Sequence, residues 1–304
     1  MDRRDFLKAS LVGAGVAASI GGVGSIAGAQ ENKPAKAVLK LGSQEGRLPG
    51  KSFKEKIDYL IKIGGVGIEL GAGCAGRIQE IQDTLKGTPV KVSAICAADG
   101  PYIVPDKPAV QKKIDNAKKL LDAGGELGST GVIMVPAFNG AKDQLKGEDA
   151  RKLLIDVLKE LGEHAVKAKC RMLLEPLNRG EAWYLRQLAD AASICRDVNS
   201  PGIGLMGDFY HMHLEETSDM GAFISAGPWL QHVHLASRTR SRILPEQEKS
   251  DYRDGFRGLK VIGYQNYMSL ECGCRKDTDP AVEIAKTFDM LRQQWEEATV
   301  PAMA

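Results

Sequence analysis

The amino-acid sequence predicts an α/β protein whose one large domain is a closed barrel of eight parallel strands, a (β/α)8 or TIM barrel. Short apolar segments alternate along the chain with longer segments in which apolar residues recur every three or four positions, patterns typical of strands and helices. Strict alternation of the two predicts a parallel sheet. Several short segments are almost continuously apolar, as expected of parallel strands that are buried on both faces.

Eight strands are predicted in chain order, enough to close a barrel of about 250 residues. They are residues 38–42, 67–70, 92–97, 131–135, 171–175, 203–207, 230–235 and 268–271, and the clearest helices are residues 54–63, 109–127, 150–169, 185–198 and 281–295. A doubly wound open sheet is the alternative. Residues 43–50 after the first strand lack the glycine-rich phosphate loop that usually marks that fold.

The first 29 residues have the layout of an export signal rather than of a folded domain. Arg3 and Arg4 precede a weakly apolar stretch, residues 9–27, and Ala29 ends a small-residue cleavage site. The paired arginines resemble a twin-arginine signal, which predicts a periplasmic or secreted protein. The glycines of the stretch argue against a membrane anchor. Residues 30–36 then form a polar linker, 37–297 the barrel and 298–304 a C-terminal tail.

Composition argues against two further readings of the chain. The net charge is +2 and the basic residues are scattered, which gives no sign of a nucleic-acid partner. The six cysteines lie mostly within or beside apolar segments, where free cysteine behaves as a small hydrophobe. No disulfide framework is therefore predicted.

The last four predicted strands carry side chains of the types that bind metals. These side chains are Glu175, Asp208, His234 and Glu271. Chemistry in such barrels gathers at the C-terminal ends of the strands. A buried carboxylate also needs a partner, because burying an unpaired charge is costly.

One divalent cation shared by three carboxylates and one imidazole supplies that partner. Oxygen-rich ligands with one nitrogen suit Mn²⁺, our first candidate, or Mg²⁺, Co²⁺ or Zn²⁺. The alternative without a metal is an ion-pair network with Arg179, Arg238 and Arg240.

Three further histidines lie near these ligands in the sequence, and one of them shares a strand with His234. His232 and His234 are two residues apart on one strand and therefore point to the same face. His234 is nearer the mouth and is the predicted ligand, and His232 is expected to pack behind it. His211 is expected to contact substrate from the loop after Asp208, and His213 to face solvent from the same loop.

Several of these segments resemble the xylose isomerase-like TIM barrels, the sugar phosphate isomerase/epimerase group. The resemblance lies in residues 175–181 (EPLNRGE), 208–213 (DFYHMH), 232–237 (HVHLAS), 269–272 (SLEC) and 67–70 (GIEL), and it covers roughly residues 37–297. It implies that Glu175, Asp208, His234 and Glu271 hold the metal and that Glu175 and Glu271 exchange protons with the substrate. It also implies that Glu181, His211, Arg240 and Glu69 bind substrate.

The expected function is that of an exported, metal-dependent sugar isomerase or epimerase that acts through a metal-stabilised enediolate. The alternative is a lyase or hydratase acting on 3-keto-glycosides or related oxidised sugars. Two further readings are a DNA-repair endonuclease and a non-catalytic sugar-binding protein. The endonuclease would need a three-zinc site with histidines on early strands, and the chain has no histidine before His164.

Substrate identity and assembly remain open at this level. Residues 238–246 and Arg186 depart from the family's pattern. The arginines of the 238–246 loop could bind a phosphate or carboxylate group, or could simply be solvated. A homo-oligomer is left open, and no stable membrane span is expected after cleavage of the signal.

Overall fold

Eight parallel strands close into a barrel in the computed structural model of the protein, which describes residues 36–97, 100–140, 145–239 and 243–300. The strands follow one another around the barrel in chain order, and β1 pairs with β8 to complete the ring. The prediction of a (β/α)8 barrel is confirmed. The predicted signal, residues 1–29, and nearly all of the linker lie outside the described residues.

The strands lie within two residues of their predicted positions. They are β1 (Lys40–Gln44), β2 (Gly67–Gly71), β3 (Lys91–Cys96), β4 (Val132–Met134), β5 (Met172–Leu174), β6 (Ile203–Asp208), β7 (Leu230–Leu235) and β8 (Tyr267–Leu270). Most of these strands are buried along nearly their whole length, because helices cover the outer face and side chains fill the interior.

The helices surround the barrel and include the five that the apolar spacing predicts. They are α1 (Phe53–Lys62), α2 (Ile78–Leu85), α3 (Lys107–Glu126), α4 (Gly147–Ala168), α5 (Leu188–Val198), α6 (Phe209–Glu215), α7 (Asp219–Ala226), α8 (Pro245–Glu248), α9 (Arg253–Val261) and α10 (Pro280–Glu297). Polar side chains cap several of them: Ser52 accepts a hydrogen bond from the amide of Glu55, and Asp279 from that of Ala281. None of the described helices is long and apolar enough to cross a membrane.

One expectation about this framework is wrong. His211 and His213 were expected in a loop after β6, but both lie on α6, which begins immediately after Asp208. The segment Phe209–Glu215 is only seven residues long, too short to show a clear helical period in sequence. The consequence for the site is that His211 stands on a helix rather than in a loop.

The interior of the barrel has an apolar side and a polar side. Ala94, Ile133, Leu173 and Met206, from β3 to β6, form a small apolar cluster. On the remaining strands the buried residues include polar and charged ones: Ser43, Glu69, His232, His234 and Ser269. The polar side lies beneath the mouth at which the predicted metal ligands stand.

Candidate metal centre

The structure brings the four predicted ligands together at the C-terminal mouth. One donor atom from each of Glu175, Asp208, His234 and Glu271 lies within 4.8 Å of the others. The Nδ1 atom of His234 is 3.0 Å from Oε2 of Glu271, 3.4 Å from Oδ2 of Asp208 and 3.8 Å from Oε1 of Glu175. Three carboxylates therefore surround one imidazole nitrogen.

Asp208 reaches the cluster because it also caps a helix. Its Oδ1 atom accepts hydrogen bonds from the amides of Tyr210 and His211, the first turn of α6. This satisfies amide donors that a helix N-terminus leaves unpaired. The cap fixes the side chain so that the other oxygen, Oδ2, is directed to the cluster, and β6–β7 pairing sets Asp208 beside His234.

Glu69 fixes the orientation of His234 from below. The Nε2 atom of His234 lies 2.9 Å from Oε2 and 3.0 Å from Oε1 of Glu69, and Nε2 of His232 lies 2.7 Å from Oε2. A proton on Nε2 of His234, which these contacts favour, leaves Nδ1 as the free lone pair. Burial raises the pKa of Glu69, but the two imidazoles outweigh it and hold the pKa well below its usual value. Carboxylate partners of this kind commonly orient metal-binding histidines.

The position of Glu69 favours this orienting role over the predicted substrate contact. The side chain is 1% exposed and does not line the pocket at the mouth, so the predicted substrate contact finds no support in its position. The expectation that His232 packs behind His234 agrees with the geometry, since its ring is fully buried and its centroid lies 5.4 Å from that of His234.

The electrostatics of the cluster fit a cation among its side chains. Burial raises the pKa of Glu175 well above its usual value, and the carboxylates of Glu271 and Asp208 add to the rise while His234 opposes it. Oδ2 of Asp208 and Nδ1 of His234 are buried without a hydrogen-bond partner among the described residues. Leaving such atoms unpaired is costly. A divalent cation among these donors would satisfy both atoms and offset the repulsion, so the residues present fit one.

Two of the three arginines of the ion-pair alternative, Arg179 and Arg238, pair with carboxylates outside the cluster. Arg179 pairs with Glu215, and Arg238 pairs with Asp219. Neither arginine is paired with any of the four clustered side chains. Arg240, the third arginine of that alternative and a predicted substrate contact, lies outside the described residues.

A pocket opens above the cluster and contains two of the four predicted substrate contacts, Glu181 and His211. Its lining includes Glu175, Glu181, His211 and Glu271. The Nδ1 atom of His211 accepts hydrogen bonds from the backbone amide of Asn178, at 3.1 Å, and from its side chain, at 2.8 Å. This leaves the proton on Nε2, the other ring nitrogen, for a pocket ligand.

Further lining residues give the pocket an apolar wall and a basic rim. Val135, Phe138 and Leu177 form the apolar wall, and Arg47 contributes a guanidinium group. Sequence reasoning missed all four, because none stands out from its segment as a ligand-type residue.

Glu215 is a buried residue beside the site that sequence reasoning also missed. Its Oε1 atom accepts hydrogen bonds from the amide and from Nε of Arg179, at 2.7 and 2.9 Å, and Oε2 accepts from Nη2 at 3.1 Å. Burial raises the pKa of Glu215, but Arg179 outweighs this and holds it below its usual value. Glu215 thus fastens the segment that carries Asn178 and Glu181 onto α6.

Several known proteins with similar sequences and structures are sugar epimerases. The chain is 28% identical over 269 residues to 3-dehydro-D-guloside 4-epimerase of Escherichia coli, a match that spans 84% of this chain and 99% of the relative. It is 24% identical over 233 residues to D-psicose 3-epimerase of Agrobacterium fabrum, spanning 70% and 78% of the two chains. Since epimerases are isomerases, these relatives confirm the predicted enzyme class.

A solved structure and a family match agree with these relatives. The crystal structure of 3-keto-D-glucoside 4-epimerase from E. coli, in its apo form, superimposes with a TM-score of 0.77 and 26% identity over 84% of this chain and all of that one. Residues 58–294, more than half of the chain, match the family described as xylose isomerase-like TIM barrel. The protein is therefore a member of the xylose isomerase-like TIM barrel family.

Proposed function

We propose that the protein is a divalent-metal-dependent sugar epimerase that moves a proton at a carbon beside a carbonyl group. The observation that carries this proposal is the convergence of Glu175, Asp208, His234 and Glu271 on one point at the base of a pocket. Mn²⁺ is the cation we expect, because three carboxylates and one imidazole suit a metal of its type. A bound divalent cation would polarise the carbonyl and so make the neighbouring C–H bond more acidic.

The protein's own side chains would carry the proton. Glu175 and Glu271 both line the pocket, and the side chain of Glu271 is 29% exposed to it. One carboxylate removes the proton from one face of the carbon as general base, and the other, in its acid form, delivers a proton to the opposite face. The substrate loses one proton and gains one, so its mass is unchanged while its configuration is inverted.

The remaining pocket residues would hold the substrate. His211, with its proton on Nε2, donates to a substrate oxygen, and Glu181 accepts from a hydroxyl. We assign Glu69 to orienting His234 rather than to substrate. Arg240 is kept as a proposed contact on the strength of the family resemblance alone.

The substrate class follows from the relative that aligns over nearly its whole length. That relative is named for a 3-dehydro-guloside, so a 3-keto-glycoside is the first substrate to test and a free ketohexose the second. The apolar wall of Val135, Phe138 and Leu177 offers a place for the aglycone of a glycoside.

The test is an incubation of residues 30–304 with Mn²⁺ and a 3-keto-glycoside in D₂O, followed by mass spectrometry and NMR. We expect an epimer that carries one deuterium at the inverted carbon, and about one metal per chain. Release of the aglycone would show elimination and would favour the lyase alternative. Substrate recovered without deuterium, across both substrate classes and with metal bound, would refute the proposal.

We further propose that the protein is exported with its signal removed, as Arg3 and Arg4 suggest. Fractionation of cells that express the full chain should place it in the periplasm or medium. The same chain with Arg3→Lys and Arg4→Lys should remain in the cytoplasm. Equal export of the two chains would refute the twin-arginine route.

A further inference from the structure

We infer that Gln44, at the end of β1, is a positioning residue that holds Glu271 in the orientation needed for metal binding and proton transfer. Its Nε2 atom donates hydrogen bonds to Oε1 of Glu271, at 3.0 Å, and to Oε1 of Glu69, at 2.9 Å. One amide group therefore bridges two carboxylates. The inference rests on the proposed function for its catalytic part and on geometry alone for the rest.

The contact follows from strand register rather than from a chance approach of side chains. Gln44 is the register partner of Glu69 on β2. On the other side, Ser43 pairs with Leu270 of β8, so the next residues, Gln44 and Glu271, lie side by side. Parallel neighbours point to the same side of the sheet, and the three side chains meet at the mouth.

The packing of β1 against β2 requires a glycine at position 42. Gly42 pairs with Gly67 two residues before the Gln44–Glu69 pair. A Cβ atom at Gly42 would lie 2.4 Å from the carbonyl oxygen of Gly67, a contact that backbone cannot relieve. Gly42 therefore lets β1 pack against β2 two residues before Gln44, the residue that holds Glu271.

Gln44 closes a ring of contacts around the metal centre. Glu271 approaches Nδ1 of His234 through Oε2, His234 approaches Glu69 through Nε2, and Gln44 joins Glu69 back to Glu271. Because Oε1 of Glu271 is occupied by Gln44, the oxygen that faces His234 and the other ligands is Oε2. The amide thereby selects which oxygen of Glu271 is presented to the cation.

Glu271 is the ligand that most needs such support. Its side chain is 29% exposed, whereas those of Glu175, Asp208 and His234 are 7%, 1% and 0% exposed. Surrounding protein already restricts the other three side chains, so an added hydrogen bond changes their orientation less than that of Glu271. A side chain that is free to rotate at the pocket wall would bind the cation less tightly and would exchange protons less efficiently.

The chemistry of the amide also matters. A carboxylate at position 44 would face two others, and an apolar side chain would leave both without a donor, so the position calls for a hydrogen-bond donor. The amide is oriented by Arg47, whose Nε lies 3.4 Å from Oε1 of Gln44 and keeps the NH₂ group directed at the carboxylates.

The experiment replaces Gln44 by Met, which keeps its length but removes the donor. Mn²⁺ affinity is measured by calorimetry on metal-free protein, and kcat and KM on the 3-keto-glycoside. We expect Mn²⁺ affinity and kcat each to fall about tenfold, as for other residues that support ligands, with KM within about twofold of wild type. Gln79→Met is the matched control, because the Gln79 amide also donates to a carboxylate, that of Asp83, but on an exposed helix.

The outcomes separate this inference from the proposed function. If the wild-type protein binds Mn²⁺ but has no epimerase activity, the proposed function fails and the calorimetric comparison alone decides the role of Gln44. Affinity within twofold of wild type in Gln44→Met would overturn the inference. Gln44→Asn, whose shorter amide cannot span both carboxylates, gives a second variant if melting curves show that Gln44→Met is unfolded, and it should lower the affinity in the same direction.

Discussion

The two arcs of the barrel mouth contribute different things to the same site. The arc from β5 to β8 supplies all four candidate metal ligands, Glu175, Asp208, His234 and Glu271. The arc formed by β1 and β2 supplies no ligand but holds two of them, since Gln44 contacts Glu271 and Glu69 contacts His234. The candidate ligands and the residues that support them therefore lie on separate strands, and the two arcs meet directly where the barrel closes between β8 and β1.

The largest effect should come from the ligand arc. We expect Glu271→Gln to lower kcat by about 10²–10⁴-fold, because one of the two groups that carry the proton is lost while a neutral oxygen remains for the metal. The measurement is kcat at saturating Mn²⁺ together with metal content per chain. A variant with normal metal content and kcat within tenfold of wild type would show that Glu271 binds metal without taking part in proton transfer.

A smaller effect is expected from the supporting arc. Glu69→Gln removes the negative charge beneath His234 and His232, so we expect Mn²⁺ affinity to fall by about 10–100-fold. Calorimetry on metal-free protein measures this. Glu163→Gln, an exposed glutamate on α4, serves as the control and should bind metal as wild type does. If Glu69→Gln and the control bind Mn²⁺ with equal affinity, Glu69 does not support the metal site.

The same division explains how much of the site the sequence could predict. The ligands can be predicted from sequence because a buried carboxylate needs a partner. Glu175, for example, directly follows the apolar strand residues Leu173 and Leu174. The strands can be predicted because each is a short, nearly continuous apolar segment. The topology then follows from strict alternation, and the structure confirms it.

The residues that hold the ligands could not be predicted in that role, because the role depends on the register between strands that are distant in sequence. A glutamine at a strand end resembles any polar residue that begins a loop, and only the pairing of Gln44 with Glu69 gives it meaning. The short helix α6 was missed because one cap and seven residues give too little periodic signal. Its buried Glu215 was missed with it, since a glutamate near a helix end is usually exposed.

A third support, on the ligand arc itself, should have a still smaller effect. Glu215→Gln weakens the attachment of Arg179 to α6 and so loosens the segment that carries Asn178 and Glu181. We expect KM to rise by on the order of tenfold, since misplacement of binding groups is the direct consequence. Mn²⁺ affinity should be unchanged, because Glu215 is not among the clustered ligands. Steady-state kinetics and calorimetry check the two together, and a fall in metal affinity with KM unchanged would contradict this role.

Arg179→Lys provides the companion variant for that contact. Lysine keeps the positive charge but cannot form the two-pronged hydrogen bond to Glu215, so it separates geometry from charge. A KM between those of the wild type and Glu215→Gln is the expected result. A KM equal to that of the wild type would indicate that charge alone holds the segment.

The smallest effect is a change in stability with pH that isolates Glu215. Its pKa in the folded protein lies below the ordinary value of 4.5, because Arg179 outweighs burial. A carboxyl whose pKa is lower when folded stabilises the protein above its unfolded pKa, and this contribution is lost as the pH falls through the folded value. The melting temperature of the wild type should therefore exceed that of Glu215→Gln by a constant amount above about pH 4.5, and the gap should narrow below it. Because the other carboxyl groups titrate in both proteins, the difference between the two melting temperatures at each pH reports Glu215 alone. A difference that stays constant down to the lowest pH at which both proteins fold would show that the ion pair contributes nothing to the attachment of α6.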